Sequence, residues 1–219
     1  FTDSRIRLFK HKKNLGYLKT VNYLFTQLKG DFITFQDADD WSDLQRIKSQ
    51  VVELEGDSSL MFCGTQCIYS KNGRGVRRSN FPLTHDAVVS RLESGDTVVL
   101  CGASVMLRRE LLDEYKGYRE FFDRIGAEHL DLFWRMLIKH KYINMADYLY
   151  TYRSNESSFT RKLDLNPLRY HSTQIALLAY WQRKLYGKDV LDDKSSSLEL
   201  VSKIKAKYSN DNSLIYRRA

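Results

Sequence analysis

The stretch GDFITFQDADDW, residues 30–41, is the part of the chain around which the rest is organised. A short apolar strand, Phe32 to Phe35, runs into three carboxylates within four positions, Asp37, Asp39 and Asp40. Like charges this close repel one another, so a cation among them is favourable. Oxygen ligands at the end of a buried strand are typical of a Mg²⁺ or Mn²⁺ site that shares its shell with substrate phosphates. The alternative is an ordinary acidic turn before a helix.

A series of motifs around this stretch resembles the inverting GT-A glycosyltransferases of family 2. The family pattern is a strand, a basic residue, Asn-x-Gly, a helix carrying an Asn, and then Gly-(Asp/Glu)-aromatic-Ile-x-Phe-x-Asp-x-Asp-Asp. This chain matches the pattern with residues 5–9, Asn14-Leu15-Gly16, Asn22 and residues 30–41. The resemblance is specific because several motifs occur in the family's order, and it extends over residues 5–158.

The resemblance implies an α/β fold of the GT-A type, in which a mostly parallel, Rossmann-like sheet is flanked by helices. It also implies that the chain starts at the family's third strand. On this resemblance the first βαβ unit is missing, and we expect the natural protein to be longer. We expect residues 1–160 to form an N-terminally incomplete glycosyltransferase domain and residues 161–219 to form a C-terminal helical appendage.

The resemblance also implies a donor site. Asp37 is expected near the ribose and a metal ion, and Asp39 is expected to hold Mn²⁺ or Mg²⁺ against the diphosphate. The turn that contains Asn14 and Gly16 is expected beneath the nucleotide, although plain turn chemistry explains both residues equally well. Arg153 follows a tyrosine near a loop that is mobile in the family. Its planar guanidinium suits phosphate oxygens, and the alternative is an ordinary surface arginine.

A second chemical stretch is GAEHLDLFWR, residues 126–135, where a glycine turn opens a helix. The family has Gly-x-Glu-Asp-x-Asp-Leu-x-x-Arg here, and the Asp after Glu is its general base. This chain has His129 at that position, so it departs from the family. A histidine at a helix N-terminus tends to stay neutral, which makes His129 a candidate base beside Glu128 and Asp131. The alternatives are an altered or lost catalytic step, or acidic residues that merely suit a first helical turn.

The composition limits the partners. The net charge of +8 and the pI of about 9.3 suit nucleic acid, anionic lipid or an anionic substrate. The basic residues are dispersed and no recognition motif occurs in the sequence, so nucleic acid is not an expected partner. Cys63, Cys67 and Cys101 show no zinc spacing, and we expect reduced, buried thiols in a cytoplasmic protein. The longest apolar run, residues 98–107, is too short to span a bilayer.

Apolar periodicity predicts the remaining elements. We expect a strand at residues 5–9, a helix that Gly30 ends, and a second helix that Ser42 caps. Strands are predicted at residues 60–69, 102–109 and 141–150, and helices at 84–92, 111–115, about 175–186 and 198–208. Residues 71–73 predict a hairpin turn followed by a basic loop with Arg74, Arg77 and Arg78. That loop is either a solvated hairpin tip or a patch that faces the acceptor or a lipid.

The predicted function is transfer of a sugar, with inversion, from a nucleotide-diphosphate sugar to an acceptor hydroxyl. The family resemblance favours a UDP-sugar donor, a glycan or lipid-linked glycan acceptor, and a role in cell-surface polysaccharide synthesis. A non-catalytic sugar- or nucleotide-binding member is the alternative, because His129 replaces the expected base. A metal-dependent nucleotidyl- or phosphotransferase is a further alternative. The positive charge and the C-terminal amphipathic helices suggest peripheral contact with the inner face of the membrane.

Overall fold

One six-stranded sheet and eight α-helices make up residues 3–71, 74–154 and 166–209, the ranges that the computed structural model describes. The strands are β1 (Phe32–Thr34), β2 (Trp41–Ser42), β3 (Leu60–Lys71), β4 (Arg74–Arg78), β5 (Met106–Arg108) and β6 (Lys141–Ser154). The helices are α1 (Tyr17–Phe25), α2 (Arg46–Gly56), α3 (His85–Glu93), α4 (Glu110–Tyr115), α5 (Glu128–Leu137), α6 (Pro167–Tyr170), α7 (Ser172–Tyr186) and α8 (Lys194–Ser209). The predicted α/β class is confirmed.

Strand β3 lies at the centre of the sheet. Strand β6 runs parallel along one of its edges, from Leu60 opposite Lys141 to Lys71 opposite Ser154. On the other edge, β5 pairs with the first half of β3 and β4 with the second half. Strand β1 flanks β5, and β2 flanks β6. The parallel pairing is the longest, while the other four described pairings are antiparallel, so the sheet is mixed. For β4 this follows from its close connection to β3, which is too short for a parallel crossover.

The main hydrophobic core lies between the sheet and the helices. Phe62 of β3 and Phe133 of α5 stack at its centre, with their ring centroids 6.4 Å apart. Helix α7 contributes Ile175 and Tyr180 to the same core cluster, and both residues are buried. The C-terminal helices therefore pack against the same core as the sheet. The predicted domain boundary near residue 160 falls in a segment outside the described ranges and stays a prediction.

Several local predictions are confirmed. Helix α3 begins after Thr84, whose hydroxyl accepts a hydrogen bond from the amide of Ala87 as an N-cap does. Strand β3 and helix α7 lie where their patterns predicted them. Strands β3 and β4 form the predicted hairpin, with Lys71 opposite Arg74, while the two residues between them lie outside the described ranges. By contrast, the prediction of a basic loop after the turn is wrong, because Arg74, Arg77 and Arg78 lie on β4 and pair with β3.

Other local predictions are wrong. Residues 5–9 form no strand, and most of their side chains are exposed. Helix α1 ends at Phe25, well before Gly30, because the amide and hydroxyl of Thr26 both turn back to the carbonyl of Tyr23. Ser42 lies in β2 and caps no helix, because pairing with β6 competes successfully with the cap.

Strand β5 is shorter than predicted because residues 102–104 form a 3₁₀ turn, which is held by hydrogen bonds from Ser104 to the carbonyl of Cys101. All three cysteines are free thiols, and Cys63 and Cys67 are buried as predicted, whereas Cys101 is half-buried. In the described ranges, none of the helices has both the length and the apolar character needed to cross a membrane.

Candidate functional site

The acidic loop, residues 36–40, connects β1 to β2, which are the outer strands on opposite sides of the sheet. Both carboxylate oxygens of Asp40 are used, because one accepts a hydrogen bond from the Tyr150 hydroxyl and the other from the backbone amide of Arg153, each at 2.7 Å. Asp37 is half-buried and Asp39 is exposed. Asp40 therefore anchors the loop to β6 and leaves the carboxylates of Asp37 and Asp39 for other partners.

The carboxylates of this loop lie close enough to affect one another's ionisation. Burial, followed by the charges of Asp40 and Asp39, raises the pKa of Asp37 above its ordinary value, while His129 acts in the opposite direction. Within the described ranges, no Lys or Arg side chain forms an ion pair with these three carboxylates. A bound cation would relieve the mutual repulsion of the three groups.

The donor set fits an open Mg²⁺ or Mn²⁺ site. Among the described residues, no group of three or more His, Cys, Asp and Glu side chains is arranged to enclose a metal ion. Mg²⁺ usually takes only one or two protein carboxylates and completes its shell with waters and substrate phosphates. Asp37 and Asp39 match that requirement, and Asp40 does not, because its oxygens already accept hydrogen bonds.

Arg153 lies next to the acidic loop on β6. Its guanidinium carbon is 5.6 Å from the centroid of the Trp41 ring, an arrangement typical of a cation–π contact. Its Nε is buried and has no hydrogen-bond partner among the described residues. Buried nitrogens of this kind are nearly always satisfied, so the unpartnered Nε marks a place where an anionic ligand would fit. The structure thus brings Arg153 beside Asp40, whose carboxylate accepts a hydrogen bond from the Arg153 amide.

A cavity of about 480 Å³ lies between α1 and β1. Asn14, Gly16 and Asp37 all line it, so the structure brings these three predicted donor-site residues together. The side-chain oxygen of Asn14 accepts a hydrogen bond from the amide of Gly16, which has a φ of +85° that few other residues adopt. Tyr17 also lines the cavity, and burial followed by the charge of Asp37 raises its pKa to about 12.

The N-terminus of α5 brings His129 and Glu128 to the acidic side of the sheet. The His129 side chain is 40% exposed, and its Nδ1 lies 4.0 Å from a carboxylate oxygen of Glu128. Its ring rests on Gly102, where an added Cβ would lie only 2.5 Å from the His129 Cδ2. The missing side chain of Gly102 therefore makes room for the imidazole. The charge of His129 is felt at Asp37, so the two chemical stretches of the sequence meet in one site.

Asp131 lies elsewhere, although it is on the same helix. Its carboxylate is 1% exposed and forms ion pairs with Arg119 and Arg135, with shortest distances of 2.5 Å and 3.0 Å. Arg119 also binds the buried carboxylate of Asp189 at 2.7 Å. Because both Asp131 oxygens are held by guanidinium groups and shielded from solvent, this residue does not suit a general base. The catalytic role of Asp131 stays a prediction, and these ion pairs argue against it. The neighbouring residues gave no sign of the pairing, because Arg119 lies outside α5.

Arg46, the first residue of α2, is a part of the site that sequence analysis missed. Its side chain is 1% exposed and stacks on the ring of Tyr150, with 4.9 Å from the guanidinium carbon to the ring centroid. Its guanidinium donates hydrogen bonds to the end of β1, to the acidic loop, to β2, to the 3₁₀ turn and to its own helix. The acceptors are Thr34, Phe35, Gln36, Ser42, Ala103 and Gln50. Arg46 therefore ties the acidic loop to the turn beneath His129.

The residues that sequence analysis missed were overlooked for a common reason. Arg46 and Gly102 carry no chemistry of their own, and each acts by holding or admitting a neighbour that is distant in the sequence. Tyr150 is hidden inside a strand pattern, yet its hydroxyl is the donor that anchors Asp40. Burial and the neighbouring Asp40 raise the pKa of Tyr150, so this hydroxyl keeps its proton.

Comparisons with known proteins identify the family of the chain. The model described as Glycosyl transferase family 2 matches residues 2–116, slightly more than half of the chain. A relative from Bacillus subtilis (strain 168), named "Putative glycosyltransferase EpsE", is 25% identical over 162 residues. That match covers 73% of this chain and 56% of the relative, so the chain spans little more than half of the relative's length.

Solved structures show the same fold. S. aureus TarS 1–349 in complex with UDP-GlcNAc has a TM-score of 0.61 and 16% identity, and the match covers 90% of this chain and 54% of that one. The mannosyltransferase PcManGT from Pyrobaculum calidifontis, in complex with GDP-Man and Mn²⁺, has a TM-score of 0.53 and 13% identity over 94% of this chain and 58% of its own. At these identities the likeness concerns the GT-A fold alone. Because the family model covers more than half of its residues, the chain belongs to glycosyl transferase family 2.

Proposed function

We propose that the chain transfers a sugar from a nucleotide-diphosphate sugar to an acceptor hydroxyl, with inversion. The observation that carries this proposal is the convergence of the acidic loop, Arg153 and the N-terminus of α5 around one side of the sheet. Donor-binding groups and candidate base groups then lie within one site, as a one-step displacement needs. Membership of family 2 supports glycosyl transfer as the reaction.

The donor end of the proposed site comprises the cavity beside β1, the acidic loop and Arg153. The cavity would receive the nucleotide over Asn14 and Gly16, and the Arg153 guanidinium would bind the diphosphate. Two solved relatives hold the nucleotide sugars UDP-GlcNAc and GDP-Man, which supports a donor of this class. We propose a UDP-sugar, on the strength of the family resemblance.

Asp37 and Asp39 would hold Mn²⁺ or Mg²⁺ at the donor end. The ion neutralises charge that develops on the leaving diphosphate. One solved relative was obtained with Mn²⁺, which is consistent with such a site. Asp40 fixes the backbone of Arg153 and so positions this arginine next to the two metal-binding carboxylates.

The acceptor end of the proposed site comprises His129 and Glu128. The His129 imidazole would accept the proton of the attacking hydroxyl. Glu128, with an oxygen 4.0 Å from Nδ1, orients the ring and stabilises the charge that the ring acquires. The attacking oxygen and the leaving diphosphate lie on opposite sides of the reacting carbon, which inverts it.

Calorimetry with UDP, with and without Mn²⁺, tests the donor site. We expect binding that depends on the metal and weakens at least about tenfold in Asp39→Asn, because a lost metal carboxylate costs more than 1.4 kcal/mol. Asp31→Asn is the matched control, since Asp31 is an exposed carboxylate at the other end of β1. Absence of binding to UDP, GDP, CDP and TDP would contradict the proposal.

A non-catalytic binding member is the second candidate, and the observation that favours it is His129 in place of the family's acidic base. The two candidates differ in the effect of His129→Ala, which abolishes transfer by an enzyme and changes nothing in a binding protein. In the binding protein, His129→Asp would create activity. Product analysis also separates the first proposal from a nucleotidyl- or phosphotransferase, because glycosyl transfer releases a nucleoside diphosphate rather than pyrophosphate.

We also propose that the acceptor is a glycan or lipid-linked glycan of cell-surface polysaccharide synthesis, met at the inner face of the membrane. The net charge of +8 and the exposed Lys203, Lys205 and Lys207 of α8 support contact with anionic lipid. Co-sedimentation with vesicles measures this contact. Equal binding to anionic and neutral vesicles would contradict the membrane part of the proposal and leave the donor site untouched.

A further inference from the structure

Three side chains on neighbouring strands form a continuous surface that the proposed mechanism does not use. Tyr69 of β3 and Tyr152 of β6 lie opposite each other, with their ring centroids 5.9 Å apart. Arg77 of β4 lies opposite Tyr69, and its guanidinium carbon is 4.0 Å from the centroid of the Tyr69 ring. We call this row of Arg77, Tyr69 and Tyr152 the tyrosine shelf.

The tyrosine shelf is on the same face of the sheet as the proposed active site. Side chains two apart on a strand share a face, so Tyr152 lies beside Tyr150, whose hydroxyl binds Asp40. Likewise Tyr69 lies beside Cys67, which packs in one cluster with Tyr150 and Cys101. Cys101 directly precedes Gly102, on which His129 rests. The shelf therefore continues outward from the turn that supports the candidate base.

The exposure of the shelf suits a ligand rather than a core. The buried end of this face holds Cys67 and Tyr150, while Tyr69 and Tyr152 are half-buried and Arg77 is exposed. Burial raises the pKa of Tyr69 to about 12, so its hydroxyl remains a hydrogen-bond donor. Arg77 forms no ion pair with a carboxylate in the part of the chain that the structure describes.

The chemistry of the shelf indicates what it binds. A tyrosine ring offers an apolar face with a polar rim, which matches the CH-lined face and hydroxyl rim of a sugar ring. The Arg77 guanidinium presents donors that suit a carboxylate or a phosphate. Stacking on Tyr69 holds this guanidinium in place and lowers the entropy lost when it binds an anion.

We infer that the tyrosine shelf is the acceptor subsite and that it takes a saccharide carrying a negatively charged substituent. This inference rests on the proposed glycosyl transfer and adds the acceptor's class to it. The sugar ring packs on Tyr69 and Tyr152, its carboxylate or phosphate binds Arg77, and the hydroxyl that attacks points back toward His129. An exposed arginine could instead bind an anionic membrane, so the test also measures binding to anionic phospholipid vesicles.

The strand that carries Arg77 also provides a matched control. Arg78 is the next residue of β4, so it points to the opposite face of the sheet. Its guanidinium carbon is 4.9 Å from the centroid of the Tyr148 ring, so it has the same kind of tyrosine contact. Arg77→Gln and Arg78→Gln remove the same charge from adjacent positions, and only the first changes the shelf.

Binding of four probes to the wild type and both variants tests the inference. The probes are trigalacturonic acid, its neutral carboxyl-reduced form, glucose 6-phosphate and glucose, and isothermal calorimetry gives the dissociation constants. We expect the charged member of at least one pair to bind about tenfold more tightly than its neutral counterpart, the effect of one charge-assisted contact. A difference in the galacturonic acid pair would indicate a carboxylate as the ligand of Arg77, and a difference in the glucose pair would indicate a phosphate. Arg77→Gln removes the difference, and Arg78→Gln keeps it.

A third variant tests the aromatic part. Tyr69→Leu keeps an apolar side chain but removes the ring, so we expect it to weaken the charged and neutral probes alike, by about fivefold or more. The inference is overturned if Arg77→Gln binds charged probes as the wild type does, or if Arg78→Gln loses as much. It is also overturned if Arg77→Gln reduces binding to anionic phospholipid vesicles while no saccharide binds.

Titration with UDP and Mn²⁺ in the same samples separates this inference from the proposed function. If UDP binds in every variant but charged probes do not depend on Arg77, the acceptor subsite is refuted and the donor site stands. If charged probes depend on Arg77 but the wild type binds no nucleotide, the glycosyl-transfer proposal fails and the shelf is no acceptor subsite. Thermal unfolding of each variant confirms that it is folded.

Discussion

Two sets of carboxylates in this protein have opposite surroundings. Asp131 and Asp189 are buried and held by arginines, at distances of 2.5–3.0 Å. Asp37 and Asp39 lie within one short loop with no arginine or lysine ion pair in the described ranges, and burial and mutual repulsion raise the pKa of Asp37. The first set gains stability from its partners. The negative charge of the second set has no cationic side chain paired with it in the described part of the chain, as expected of a site that binds a cation together with a ligand.

The first set bears on stability, and Asp131→Asn gives the largest expected effect. The substitution keeps the shape of the side chain but leaves the buried Arg135 without its carboxylate. Arg119 loses the same carboxylate and keeps its contacts with Asp189 and Asp192. We expect the free energy of unfolding to fall by about 3 kcal/mol, as when one partner of a buried ion pair is removed. Urea unfolding measures it. Asp192→Asn, at the exposed end of the same network, is the control, and a loss under about 1 kcal/mol for Asp131→Asn would contradict the comparison.

Arg46 connects the loop of the second set to the rest of the sheet, so we expect Arg46→Lys to have the second-largest effect. Lysine keeps the charge but cannot reach the acceptors on β1, β2 and the 3₁₀ turn at once. We expect nucleotide binding to weaken by about 2 kcal/mol, since the acidic loop loses several hydrogen bonds that hold it. Calorimetry with UDP and Mn²⁺ measures the change. Lys48→Arg, on the exposed side of α2, is the control. Unchanged nucleotide binding in Arg46→Lys would show that the acidic loop keeps its conformation without Arg46.

Asp37→Asn sharpens the comparison because its expected effect on stability has the opposite sign. The folded-state pKa of Asp37 is raised, so its ionised form is destabilised at neutral pH, and the wild type gains stability as the pH falls through that pKa. The neutral asparagine mimics this gain. We expect a stabilisation of about 1 kcal/mol at neutral pH, together with loss of metal-dependent nucleotide binding. Thermal melts from pH 4 to 8 test this, and destabilisation of Asp37→Asn at neutral pH would contradict it.

Gly102→Ala has the smallest expected effect on the fold. Its Cβ would lie 2.5 Å from the His129 ring, and this side chain is partly exposed and can move aside. We expect sugar transfer to slow by about threefold, or 0.7 kcal/mol in activation free energy, with little loss of stability. Gly56→Ala is the matched control, because nothing lies within 4 Å of an added Cβ there. Equal rates in Gly102→Ala and the wild type would show that the position of His129 does not limit transfer.

The elements that sequence analysis predicted correctly depend on local signals. Thr84 caps α3 because its hydroxyl reaches an amide three residues away, and β3 is recognisable from its strand-forming residues. The acidic loop follows β1 because the carboxylates follow a short apolar run. The family pattern placed Asn14, Gly16, Asp37 and Arg153 in one site, and the structure brings them to one side of the sheet.

The features that the sequence did not reveal depend on competition with distant partners. Ser42 has the chemistry of a cap but pairs with Tyr150 in the sheet, more than a hundred residues away. Asp131 has the position of an acidic first-turn residue, yet Arg119 and Arg135 enclose it. Neither outcome leaves a signal in the neighbouring residues, because the partner that decides it is supplied by another element.

The sequence by itself determined the α/β class, the family, the acidic loop and the two stretches of candidate chemistry. These features are encoded within windows of a few residues, by alternation, turns and clustered charge. Only the tertiary structure decided which carboxylates are paired, that Arg46 ties the loop to the turn under His129, and that Tyr69, Tyr152 and Arg77 share one face. The physical reason is that the pairing and burial of a side chain depend on strands and helices that are distant in the sequence. Which charges stay unpaired is therefore decided only when these elements pack together.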